Sequence, residues 1–158
     1  MKKIILCAVL VFVATSLYAQ NHIIVSKKNS TLTIVGPKAD TLYHCKCSVG
    51  LNLGDKQKVG DKRTPEGQFS VSMIQDSKHW THDFGDGAGP RPYAYGPYFI
   101  RLKTPKWSGI GIHGTCFPES IGTRSSEGCI RLLNDDIAKV AKIVKVGDKV
   151  TIEKDIVE

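Results

Sequence analysis

The sequence predicts a mostly β domain with one main helix, an α+β single domain of sandwich or barrel type. Three observations carry this. Short apolar runs alternate with polar residues at the two-residue period of a half-buried strand. Glycine- and proline-containing segments separate those runs. A single stretch near the C-terminus repeats its apolar residues at helical spacing. The 158 residues suit one domain, and no internal repeat, linker or low-complexity segment divides them.

Met1 to Ala19 reads as a secretory signal. Lys2 and Lys3 form its basic start, Ile4 to Val13 its apolar run, and Ala19 offers a small residue for cleavage. The apolar run is too short for a membrane span, and Thr15 and Ser16 interrupt it. Cys7 lies too early in the run to become a lipidated first residue. The expected mature domain is 20–158, exported to the periplasm or cell envelope, with no membrane anchor once the signal is removed.

Ile23–Val25 and Leu32–Val35 flank a polar turn and predict a hairpin. Thr41–Val49 predicts a strand with Tyr43, Cys45, Cys47 and Val49 on its inner face. Gly50 to Gly67 is a polar loop ending in a Pro-x-Gly turn. Phe69, Val71 and Met73 alternate with serines as the next strand. Residues 75 to 97, rich in Gly, Pro and aromatics, predict a long loop of the kind that rims a site. Tyr98–Leu102 and Gly109–Ile112 follow as strands. Asn134 is expected to cap a helix whose apolar face is Leu133, Ile137, Val140, Ala141 and Val144, with Gly147 as its stop. Val150 and Ile152 predict a closing strand.

The formal charge is +7, two of it from Lys2 and Lys3. A basic exported protein suits an acidic polymer. No Lys/Arg block, helix-turn-helix or RNA-binding motif appears, which argues against nucleic acid. Cys45, Cys47, Cys116 and Cys129 lie beyond the signal. A Cys45–Cys47 bridge is not expected, because strand rise separates those positions by about 6.6 Å. Pairing of Cys116 with Cys45 or Cys47 stays open. No Cys-x-x-Cys or His-Glu-x-x-His spacing appears, and His44 faces away from the two strand cysteines, so no metal or other cofactor is expected.

Chemistry concentrates between His113 and Leu132. His113 is followed by Gly114 and Thr115, and Ser126-Glu127-Gly128-Cys129-Ile130-Arg131 comes shortly after. A cysteine needs a neighbouring base to act as a nucleophile at neutral pH, and histidine is the usual one. Glycines beside both residues leave room for a substrate. Composition alone leaves Cys129 evenly poised between nucleophile and inert thiol.

The run Gly109 to Thr115 with Ser126 to Leu132 resembles the signature of the L,D-transpeptidase catalytic domain, or YkuD domain. Gly60-Asp61-Lys62-Arg63-Thr64-Pro65-Glu66-Gly67-Gln68-Phe69 and Tyr95-Gly96-Pro97-Tyr98-Phe99-Ile100 are similar to two further landmarks of that family, and the resemblance runs from about residue 22 to 153. It implies a β-sandwich or barrel, Cys129 as nucleophile and His113 as its base. The substrate implied is a peptidoglycan stem tetrapeptide. Its third residue becomes a thioester on Cys129 as D-alanine leaves, and an amine from another stem resolves the thioester. Backbone N–H groups of Gly128 and Cys129 are the expected oxyanion donors. Arg131, Ser126, Gly114, Thr115 and Glu127 are the expected substrate contacts, and carbapenem-type compounds are expected inhibitors. Glu127 stands where the family often has His, so it is expected to point away from the sulfur or to meet a substrate ammonium. Hydrolysis by a carboxypeptidase or endopeptidase would use the same acyl-enzyme. A non-catalytic wall-binding module is the remaining reading, supported by Glu127 alone.

Overall fold

The computed structural model describes residues 20–155. The expected signal segment, 1–19, lies outside the described residues. Among those described, no helix is long and apolar enough to cross a membrane.

The predicted N-terminal hairpin forms from β1 (His22–Ser26) and β2 (Thr31–Val35), antiparallel with Ile23 opposite Ile34 and Val25 opposite Leu32. These four side chains are fully buried, as strict alternation requires. The chain continues through β3 (Thr41–Lys46) and β4 (Val49–Gly50) to β5 (Gly67–Asp76). It then forms a small hairpin of β6 (Thr81–His82) and β7 (Arg91–Pro92) before β8 (Tyr98–Lys103) and β9 (Gly111–His113). A short 3-10 turn, Pro118–Ser120, leads to β10 (Arg124–Ser126) and β11 (Ile130–Arg131). Helix α1 (Asn134–Ile143) and strand β12 (Lys149–Ile152) close the fold.

Eight strands make one mixed sheet in the order β11-β9-β8-β5-β12-β1-β2-β3. Helix α1 touches β3 near one edge and β8 and β9 near the other. One helix reaches both ends only if the sheet curls around it. The strand-rich domain with one helix is therefore as expected, built as a single curled sheet rather than two facing ones. Ile137 and Val140 plug the concave side against a core that includes Ile100, Ile112, Ile130 and Leu132.

Four local expectations change. The strand expected over Thr41–Val49 divides, because β4 leaves the main sheet to pair with β10. In β5 a bulge between Val71 and Met73 reverses the alternation. Val71 is buried, Met73 is half exposed, and Ile74 packs on the core in its place. The helix ends at Ile143, and Gly147 instead turns the chain into β12. Asn134 makes no cap bond; its side chain is engaged elsewhere, and Leu133 at the cap is exposed.

Lys27 at the end of the first strand is almost fully buried. Its ammonium meets Glu66 at 2.7 Å, Asp155 at 2.9 Å and the carbonyls of Gly54 and Thr64 at 2.7 and 3.1 Å. Arg124 also pairs with Asp155. This cluster pins the 50–66 loop and the C-terminal segment to the sheet. Lys27→Ala would leave two buried carboxylates short of a partner. The expected loss is about 3–5 kcal/mol in urea unfolding; a loss below about 1 kcal/mol would show the cluster to be incidental.

Candidate active site

The site is assembled by one short parallel pairing. β11 lies beside β9 with Ile130 opposite Ile112 and Arg131 opposite His113. Ile112 and Ile130 are fully buried, which fixes the register, since a one-residue slip of either strand would turn its isoleucine from the apolar core to the cavity side. The Leu132 N–H extends the ladder to the His113 carbonyl at 2.8 Å, and Ser48 bonds Arg131 from the other side at 2.8 and 2.9 Å. Cys129, immediately before β11, thereby comes level with Gly111, whose N–H faces its sulfur.

Two glycines make this approach feasible. A Cβ on Gly111 would lie 2.2 Å from the Phe99 ring, so only glycine admits that ring. Phe99 in turn stacks on His113, centroids 5.2 Å apart and planes within 8°. A Cβ on Gly114 would meet Asn134 Oδ1 at 2.2 Å and the Cα of Gly96 at 2.9 Å. Asn134 needs that space: its Oδ1 accepts from the Thr115 N–H at 2.9 Å and its Nδ2 donates to the Thr115 carbonyl at 3.0 Å. The side chain expected to cap the helix instead clamps the loop that follows His113.

His113 is 3% exposed, with Tyr95 edge-on at 4.9 Å completing its aromatic slot. Its Nδ1 lies 2.6 Å from the Gly114 carbonyl, an acceptor only, so Nδ1 carries the proton and Nε2 is left as a base. Burial pulls the imidazole pKa down to about 3; the Gly114 carbonyl opposes this, and the Arg131 charge adds to it. His113 is therefore neutral at pH 7. The Cys129 thiol is partly exposed, with Sγ 3.3 Å from the Gly109 carbonyl. Burial raises its pKa against the opposing pull of the Gly111 N–H, Arg131 and Arg101, and Glu127 raises it further. Both shifts favour a neutral thiol beside a neutral imidazole over a preformed ion pair in the free protein.

Both line a cavity of about 540 Å³. Trp80, Tyr95, Phe99 and Trp107 form its aromatic walls, and Lys62, Arg101, Lys106 and Arg131 supply cations against a single lining carboxylate, Glu127, while the Lys56 ammonium is met by Asp61 at 2.8 Å. Arg131 is buried, lies over the Phe84 ring at 5.3 Å, and has its pKa lowered by burial. Glu127 turns to the hairpin, where its Oε2 accepts from His82 Nε2 at 2.8 Å.

Of the residues singled out in the sequence, Cys129, His113, Arg131 and Glu127 thus share one cavity. The others support it from behind. Thr115 is buried in the Asn134 clamp, and the space beside Gly114 is filled by protein. Ser126 Oγ donates to the Cys129 carbonyl at 2.5 Å and accepts from the Gly128 N–H at 3.1 Å. That N–H is consequently spent inside the turn rather than offered to an oxyanion. Cys45, Cys47, Cys116 and Cys129 are all unpaired, and burial pushes the Cys45 and Cys47 thiols up to about 12. No group of three or more His, Cys, Asp or Glu side chains able to hold a metal occurs among the described residues.

The sequence matches the profile of the L,D-transpeptidase catalytic domain (YkuD) over residues 20–152. The chain belongs to this family. It is 30% identical over 137 residues to "Putative L,D-transpeptidase YqjB" of Bacillus subtilis, covering 85% of this chain and 72% of that protein. Its fold is that of an L,D-transpeptidase from Mycobacterium smegmatis, with a TM-score of 0.61 at 23% identity over 85% of this chain and 59% of the other. It also matches L,D-transpeptidase 3 from Mycobacterium tuberculosis, solved in complex with a faropenem-derived adduct, with a TM-score of 0.65 at 17% identity. That match covers 86% of this chain and 61% of the other. The chain thus spans about three fifths of these solved transpeptidases.

Sequence reasoning did not find His82, Tyr95, Phe99 or Asn134 as site residues. Tyr95 and Phe99 lay within a noted landmark but carried no role, and His82 lay in the 75–97 loop expected to rim a site but was not singled out within it.

The neutral pair has a measurable signature. A thiolate difference titration of wild type against Cys129→Ser should place the Cys129 midpoint above the ordinary thiol value of about 8.5. A midpoint near 7 would mean a preformed thiolate–imidazolium pair.

Proposed function

We propose that this chain is an exported enzyme that transfers acyl groups between peptidoglycan stem peptides, with Cys129 as nucleophile and His113 as base. The observation that carries the reading is the β9–β11 pairing, which seats a buried neutral imidazole and a partly exposed thiol on one cavity wall. The cationic lining suits a donor stem bearing carboxylates, and Arg131, which lines the cavity with Cys129, is the proposed partner for one.

In this mechanism His113 Nε2 takes the Cys129 proton as Sγ attacks the carbonyl of the third stem residue. The C–N bond to D-alanine then breaks, and His113 gives its proton to the leaving amine. The acceptor amine attacks the thioester, its surplus proton passing through His113 to the departing sulfur, and the thiol is restored. The low basicity of His113 in the free protein has to be offset as the reaction proceeds, and negative charge developing on the sulfur and the oxyanion favours the protonated imidazole. With the Gly128 N–H engaged by Ser126, the Cys129 N–H is the oxyanion donor that remains from the expected pair. A β-lactam of the carbapenem type would acylate the same sulfur, in keeping with the faropenem-derived adduct of the M. tuberculosis relative.

Purified mature protein incubated with tetrapeptide muropeptides should yield cross-linked dimers by mass spectrometry. Cys129→Ala should yield none, and His113→Gln about 10²- to 10⁴-fold less. Tripeptide without dimers would make the enzyme a carboxypeptidase. No product from wild type would support a binding role instead.

A further inference from the structure

Glu127 is the unusual residue of this site. It directly precedes Gly128-Cys129, and a carboxylate there opposes thiolate formation. The structure places its partner on the β6–β7 hairpin. His82 Nε2 reaches Glu127 Oε2 at 2.8 Å, while His82 Nδ1 lies 3.1 Å from the Tyr95 hydroxyl. A neutral His82 satisfies both bonds, donating from Nε2 to the carboxylate and accepting at Nδ1 from Tyr95. The Tyr95 ring then lies edge-on to His113 at 4.9 Å. A continuous chain of contacts runs from the residue beside the nucleophile, through the hairpin, to the base.

The hairpin needs such a contact. Its ladder is two residue pairs, Thr81 with Pro92 and His82 with Arg91, and its tip carries Gly85, Gly87 and Gly89. Among the described residues, His82–Glu127 is the only hydrogen bond joining residues 78–94 to residues 109–131. Aromatic and cation–π contacts span the same gap: the edge-on Phe84–Phe117 pair at 5.1 Å and the stacking of Arg131 on Phe84 and Arg91 on Phe117. Those contacts pack the hairpin tip against the far wall of the cavity, and the His82–Glu127 bond adds the polar tie beside Cys129.

We propose that Glu127 and His82 are a positioning pair that holds the β6–β7 hairpin over Cys129, and that this hold limits the access of water to the thioester. The second half rests on the acyl-transfer reading above. A closed hairpin sheds water from the acyl-enzyme and favours the acceptor amine; an open one favours hydrolysis.

His82→Gln, Glu127→Gln and the double variant separate these ideas, with circular dichroism confirming the fold. The ratio of cross-linked dimer to tripeptide should fall roughly three- to tenfold in each single variant, the range expected for one modest hydrogen bond. The double variant should fall no further than the lower single. Phe84→Ala, which loosens the same hairpin without changing charge, should shift the ratio in the same direction. Unchanged ratios in both single variants, or additive losses in the double, would overturn the pairing. Alkylation of Cys129 by iodoacetamide, followed across pH, tests the hold without any substrate. His82→Gln should raise the limiting rate at high pH, where the thiol is ionised and only access differs. An unchanged limiting rate would overturn the hold. A wild type that makes neither dimer nor tripeptide refutes the acyl-transfer reading, and the alkylation result then still decides the hold.

Discussion

The site depends on the parallel pairing of two very short strands. β9 and β11 contribute three and two residues, and without their contact His113 and Cys129 would sit on separate loops sixteen positions apart. So short a ladder has little strength of its own. It persists because Ile112 and Ile130 are buried against Ile100 and the helix, and because Ser48 bonds Arg131 on the far side. The helix therefore serves the chemistry twice. Its buried face holds the strands in register, and Asn134 in its first turn locks the loop after His113.

Around that pairing the protein sets electrostatics by exclusion of water. Phe99 and Tyr95 enclose the imidazole, and the Gly114 carbonyl chooses its tautomer. Desolvation keeps both thiol and imidazole uncharged, with Arg131 pulling the thiol toward thiolate and Glu127 opposing it. An uncharged pair costs less to bury than an ion pair, and the cavity around it keeps a surplus of positive charge.

Most of the architecture was legible in the sequence because alternation and helical spacing report burial directly. The first hairpin, β8, β12 and the helix all appear where the pattern places them. The misplaced details have one cause, that tertiary contacts overrode local signals. The Val71–Met73 bulge moved Met73 to the surface, and Asn134 was drawn from the helix cap to Thr115. Cys129, His113, Arg131 and Glu127 were found because they lie in one dense motif. Gly114, Thr115, Ser126 and Gly128 lie in the same motif, yet their atoms hold the turn rather than face the cavity. His82 and Asn134 were missed because their partners lie 45 and 19 residues away, a distance at which no periodicity speaks.

The central claim is that strand pairing makes His113 the base for Cys129. Its most direct test is the rate of covalent acylation by imipenem, with the modified peptide located by digestion and mass spectrometry. Wild type should acquire one adduct, on Cys129, while folded His113→Ala should acquire it at least about a hundredfold more slowly. An adduct on Cys116, or a His113→Ala rate equal to wild type, would contradict the account.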